Sequence, residues 1–194
     1  MTKGRLEAFS DGVMAILITI LVLELRAPHG ATMEALLPLW PKFLGYVLSF
    51  IYLGIYWNNH HHLLHTVRKV RGSILWGNLH LLFWLSLIPF VTAWMGENHF
   101  AALPTAFYGI ILLMSGVAYW ILQGLILADH EIHSNVRDAI GGDFKGKASI
   151  VLYAIAVGLA LRWPWVAWSF YALVACMWLI PDRRIETALN PGGH

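Results

Sequence analysis

Two groups of polar side chains sit where an otherwise apolar chain offers them little solvent. The first is Arg5, Glu7, Ser10 and Asp11, at the head of an apolar stretch that runs to Leu25. The second is Trp57-Asn58-Asn59-His60-His61-His62 with His65, which closes another apolar stretch; Asn78 and His80 then open a third. An unpaired polar group in an apolar site costs roughly 2–7 kcal/mol. These residues therefore need one another, and a structural or proton-sensing network joining Ser10, Asp11, a histidine and Asn78 is one reading. His61 and His65 also stand i, i+4, a spacing that suits metal ligation from one helix, although no Glu completes a His-Glu-x-x-His arrangement. Asp129, His130, Glu131 and His133 are the only other dense set of ligand-type residues. A phosphate-binding glycine motif, a nucleophile elbow and a Thr-Val-Gly-Tyr-Gly filter are all absent. The lone Cys176 lies in an apolar run and supports neither an intrachain disulfide nor a cysteine-based zinc site.

Hydropathy sets the elements that must carry these groups. Hydrophobic residues make up 58% of the 194 and charged residues 12%, about half the charge of an ordinary soluble domain; mean hydropathy is +0.62. A net charge of +2 gives no reason to expect a nucleic-acid partner. A helix needs roughly 20 apolar residues to cross a bilayer. Phe43 to Val67, Gly72 to Gly96 and Asn98 to Ala128 each hold no Asp, Glu, Lys or Arg. Ala148 to Leu161 and Trp163 to Pro181 form a further pair, separated at Arg162 and Pro164. The N-terminal stretch carries Asp11 and Glu24 and lacks a small-residue cleavage site, so it reads as a first span rather than a signal peptide.

The pattern predicts an all-α polytopic membrane protein, residues 1–194 forming one unit. Its six spans fall at about 8–25, 43–65, 73–95, 103–127, 147–162 and 164–181. The fifth is the shortest, and Lys145, Lys147 and Arg162 would snorkel from its ends. Ala27-Pro28-His29-Gly30 reads as a break, Met33 to Leu39 as a short interfacial helix, and Asp129 to Gly146 as a polar linker. With six spans, Lys3, Arg5, Arg68, Lys69, Arg71, Arg137, Lys145, Lys147, Arg183 and Arg184 share one side, against Arg26, Lys42 and Arg162 on the other. That bias puts both termini in the cytoplasm, with the chain a multi-pass protein of the cell's inner (plasma) membrane. Trp40, Trp76, Trp94, Trp163 and Trp165 fall near span ends, where interfacial aromatics gather.

On a helical wheel of the first span, Ile20 and Leu23 fall within about 40° of Ile16, and Thr19 about 60° to one side. Ser10 and Asp11 fall about 120° and 140° away, so they face a neighbouring helix while Ile16, Ile20 and Leu23 form an aliphatic stripe. Such a stripe is most simply core or lipid contact.

Arg5, Phe9, Ser10 and Asp11 spell R-x-x-x-F-S-D, and with this motif the chain resembles the transmembrane protein 175 potassium channels. Tyr56-Trp57-Asn58-Asn59-His60-His61 is similar to the family's second-span motif, and Asn78-Leu79 with Pro89-Phe90-x-Thr92 to its third. The resemblance is carried by the chain up to about Gly96. It implies a homotetrameric cation leak channel, modestly selective for potassium over sodium, its pore lined by the first span of each subunit. By the same resemblance Ile16, Ile20 and Leu23 form the constriction and Thr19 contributes to selectivity. Arg5, Phe9, Ser10, Asp11, Trp57, His60, His61 and Asn78 belong to the signature network that braces the pore helix. The implied gate is hydrophobic: aliphatic rings block hydrated ions when narrow and pass partly dehydrated ones when wide. No cofactor and no resident metal are expected, potassium being the permeant species. A proton-coupled or small-molecule transporter is the alternative, weakened by a mid-span Pro89 that has no partner in the second half. A metalloenzyme built on the histidines is a third reading.

Overall fold

The computed structural model describes residues 2–67, 69–128 and 144–179. The Asp129-to-His133 ligand set and Arg68, Arg137, Arg183 and Arg184 lie outside the described residues, as do the last two positions expected for the sixth span. Helix α1 spans Lys3–Leu23. It starts five residues before the expected 8, because nothing between Thr2 and Ala8 breaks a helix and Lys3 and Glu7 pair one turn apart at 3.7 Å. Helix α2, Met33–Leu36, is a single turn capped by the Thr32 hydroxyl and followed by a 3₁₀ turn over Leu37–Leu39, as expected for the segment before Pro41. The chain then runs straight into α3, Trp40–His65. Pro41 sits in the first turn of α3, where its missing N–H costs nothing.

The third apolar run forms two rods, α4 (Gly72–Ser86) and α5 (Ile88–Glu97), meeting at Leu87. Pro89 explains the break: it cannot donate to the carbonyl four residues back, and its ring crowds that turn. Helix α6 covers Ala102–Leu127, α7 Phe144–Ala160 and α8 Pro164–Leu179. Every element among the described residues is helical. Among the described residues four stretches are long and apolar enough to cross a membrane: Lys3–Leu23, Met33–His65, Gly72–Glu97 and Ala102–Leu127. The described parts of the last two helices, 17 and 16 residues, cover about 24–26 Å.

Helix α6 is the centre of the bundle, packing on α4 and α5 at one side and on α7 and α8 at the other. Polar side chains pin these contacts. The Ser49 hydroxyl lies 2.7 Å from Thr92 Oγ1 and 3.0 Å from Tyr108 Oη, tying α3, α5 and α6 together. Tyr52 Oη donates to the Tyr171 carbonyl at 2.6 Å, and Tyr171 Oη to the Thr105 carbonyl at 3.3 Å. Gly109 makes room for that second tyrosine: a Cβ there would stand 2.6 Å from Tyr171 Cζ and 2.9 Å from Val157 Cγ2. Gly109→Ala should therefore lower the melting temperature of the detergent-solubilised protein, the overpacking costing about 1–3 kcal/mol. Adding Tyr171→Phe, which removes the hydroxyl from the crowded site, should restore part of the loss. An unchanged melting curve would mean the two helices separate without penalty.

Candidate functional site

Helix α1 has two faces of unlike character. Leu6, Ser10, Met14, Leu17 and Leu21 are buried against α3, α4 and α5. Opposite them Phe9, Ile16, Val22 and Leu23 are exposed, Ile16 at 59% and Leu23 at 75%; Gly12 and Thr19 are exposed in the same stripe. Ile20 is only half-exposed, whereas Thr19 stands fully on the open face between Ile16 and Leu23. The reason is that the buried face is centred near Ser10 and Leu17, and Ile20 leans toward it. The Thr19 hydroxyl donates to the Ile16 carbonyl at 2.8 Å, which leaves its oxygen lone pairs turned outward.

The buried face carries the polar network. His60 and Asn78 are 1% and 0% exposed, and Ser10 is fully buried. His60 Nε2 lies 2.6 Å from Asn78 Oδ1, Asn78 Nδ2 donates to Ser10 Oγ at 3.0 Å, and Ser10 Oγ donates to the Leu6 carbonyl at 2.9 Å. Asn78 Nδ2 faces Ser10, and its amide oxygen can only accept, so the proton of the bond to His60 sits on His60 Nε2. The result is a directed chain from α3 through α4 into α1, ending on a backbone carbonyl.

Asp11 stands at the rim, where Trp57 Nε1 donates to its Oδ1 at 3.0 Å in an exposed position. Other residues expected in the network lie outside it. Arg5 is exposed and meets no hydrogen-bond or ion-pair partner among the described residues. Phe9 is 49% exposed on the open face of α1. His61, turned about 100° around α3 from His60, stacks on Trp57 with ring centres 6.1 Å apart. His80 accepts from Trp84 on its own helix at 2.9 Å. One link was not anticipated: Lys3 Nζ donates to the His65 carbonyl at 2.9 Å, placing a cation at the C-terminal end of α3 where the helix dipole favours it. The only sequence signal for it was a lysine at one helix start and a helix end at the same depth. Among the described residues no three His, Cys, Asp or Glu side chains gather to hold a metal ion.

A bundle of apolar helices with its polar chain buried and one long helix bare on its far side defines a polytopic α-helical membrane protein. A family model described as the endosomal/lysosomal potassium channel TMEM175 matches residues 5–89. A potassium channel of Chryseobacterium sp. (strain P1-3) is 57% identical over 190 residues, covering 98% of this chain and 99% of the relative. A potassium channel of Streptomyces collinus is 36% identical over 128 residues, 60% of this chain and 61% of the relative. The crystal structure of a lysosomal potassium-selective channel TMEM175 homolog from Chamaesiphon minutus superposes with a TM-score of 0.83 at 28% identity, covering 93% of this chain and 97% of that one. The chain belongs to the TMEM175 potassium channel family, a family of ion channels and not of enzymes.

Proposed function

We propose that four copies of this chain assemble in the cell's plasma membrane around a potassium-conducting pore lined by the open face of α1. Each copy crosses six times as a single unit over residues 1–194, with both termini in the cytoplasm. Rings of Ile16 and Leu23, with Ile20 at their margin, form the hydrophobic constriction, and Thr19 lies between them as the one polar ring. The observation that carries this reading is the bare stripe of Phe9, Ile16, Thr19 and Leu23 on a helix whose other face is buried. Relatives bearing the name potassium channel support the choice of ion. The Ser10–Asn78–His60 chain, with Trp57 and Asp11 at its edge, braces α1 from behind. Apolar walls cannot replace a hydration shell, so selectivity over sodium is modest and rests on the threonine ring. Exposed Glu24, at the end of α1, supplies four carboxylates that concentrate cations at the far mouth.

Potassium flux into liposomes carrying the purified protein, with sodium as comparison, tests the reading. Flux that prefers potassium is expected, from an oligomer whose mass by light scattering is about four times the 21.9 kDa chain. A well-folded oligomer that passes neither ion would end it.

A further inference from the structure

Helix α3 has a second polar flank besides the one that serves the brace. With His60 as zero on the wheel, Trp57 lies at about +60°, and Tyr56, Tyr52 and Asn59 at about −40°, −80° and −100°. That second flank closes one side of a half-enclosed cavity of about 40 Å³, walled also by α6, α7 and α8. Six of the lining side chains are aromatic: Tyr52, Tyr56, Tyr119, Trp120, Tyr153 and Trp178. Most polar atoms on the wall are paired. Ser149 Oγ donates to the Lys145 carbonyl at 2.7 Å and accepts from Trp178 Nε1 at 2.9 Å, and Tyr119 Oη donates to the Asn59 carbonyl at 3.2 Å. Tyr56 is the exception. Only 9% of it is exposed, yet its hydroxyl makes no hydrogen bond among the described residues. It faces Gly116 across the cavity, where a Cβ would stand 3.9 Å from it. Asn59, three residues on and so a neighbour on the helix surface, spends its amide nitrogen on the Ile55 carbonyl at 3.0 Å and offers Oδ1 as an acceptor.

We propose that this cavity binds one neutral molecule of the phenol class, docked hydroxyl first against Tyr56 Oη with its ring among the aromatic side chains of the wall. A buried hydroxyl without a partner is costly, and a ligand oxygen relieves it. The cavity is open on one side, so its 40 Å³ sets how deep the polar end reaches while the ring extends into the mouth. Water is the poorer filling, because it needs roughly two to four polar partners and meets ring carbon on most sides here. A planar ring instead gains edge-to-face and offset contacts with the wall. The ligand is neutral because no lining side chain among the described residues is charged, and an unpaired ion there keeps its desolvation cost. A cation would also meet Lys145, whose ammonium donates to the Met177 carbonyl at 3.4 Å, next to the lining Trp178. Tyr56 and Asn59 belong to the segment whose Trp57 and His60 serve the brace, and the cavity gives these two residues the task the brace does not. The site does not depend on the pore reading.

Titration of 4-fluorophenol into the full-length protein in detergent, followed by fluorine NMR, should give a bound signal that saturates at one per chain, above the partition into empty micelles. Tyr56→Phe keeps the ring and removes the hydroxyl, and should weaken binding roughly 3- to 10-fold, the worth of one hydrogen bond. Fluorobenzene, which lacks the hydroxyl, should bind the wild type less tightly and lose nothing further in Tyr56→Phe. Gly116→Leu fills the cavity and should abolish the signal. Gly116→Ala guards against misfolding: its Cβ would meet Ile150 Cγ1, Tyr153 Cε2 and Tyr56 Oη at 3.7, 3.8 and 3.9 Å, all ordinary contacts, and it should weaken binding in a protein that melts no lower than the wild type. Binding that never saturates, or that is equally tight in folded Gly116→Ala and Gly116→Leu, would overturn the site. Saturable binding unchanged by Tyr56→Phe would overturn the docking of the hydroxyl on Tyr56.

Discussion

Ile16→Asn should raise cation flux through the reconstituted protein about tenfold or more. The barrier at an aliphatic ring is the cost of keeping water and a hydrated ion between apolar walls, and an amide in place of each butyl group lets the narrow section wet. Ile16 is 59% exposed on the open face of its helix and outside the buried core, so fold stability should largely hold. In the proposed tetramer four copies act together, and a combined lowering of only about 1.4 kcal/mol already yields a factor of ten. Liposome flux assays with potassium and sodium read the result directly. The preference for potassium should fall as flux rises, because a wetted ring asks less dehydration of either ion. Unchanged flux would show that the open stripe of α1 faces lipid and does not line the pore.

Asn78→Ala should be the most damaging single change to the assembled protein, at about 1–3 kcal/mol per orphaned group. Asn78 is fully buried and joins His60 on α3 to Ser10 on α1. Without it the His60 Nε2–H has no acceptor in an apolar interior. Ser10 suffers less, because its own hydroxyl still donates to Leu6. Trp57→Phe breaks only the exposed bond to Asp11 and should cost well under half as much. Thermal unfolding of the detergent-solubilised oligomer separates the two. Pairing Asn78→Ala with His60→Leu should recover part of the loss, since the second change removes the orphan the first creates. Equal effects of Asn78→Ala and Trp57→Phe would place the brace at Asp11 instead.

That contrast marks the limit of what the residues reveal by themselves. The apolar run lengths were enough to place α3 and α6, because a charge-free run of the right length has one low-energy fate in lipid. They could not separate His60 from His61. Adjacent residues point about 100° apart on a helix, and which one turns inward depends on how α3 is rotated against α1 and α4. Asp11 was legible as a polar group off the aliphatic stripe, yet its place at the rim, and not at the centre, follows from the reach of Trp57. The tyrosines that clasp α3, α6 and α8 gave no signal at all. Tyr52, Tyr108 and Tyr171 look like ordinary aromatics of an apolar run, and only packing shows that their hydroxyls close on a carbonyl or a serine of another helix. Gly109 likewise becomes meaningful only with Tyr171 beside it.

The break at Leu87 makes the third crossing two separately anchored parts. The first half, α4, is fastened through Asn78 to the brace behind α1. The second half, α5, is fastened through Thr92 to Ser49 on α3. Damage to one clamp is thus contained: a lesion at Thr92 loosens the far half of the bundle and leaves the Asn78 joint in register, as a fuse isolates one circuit from the next. A continuous rod would carry a twist imposed at one end to the other. Pro89 denies the chain that rod, and so gives the two ends of the channel separate tolerances to sequence drift.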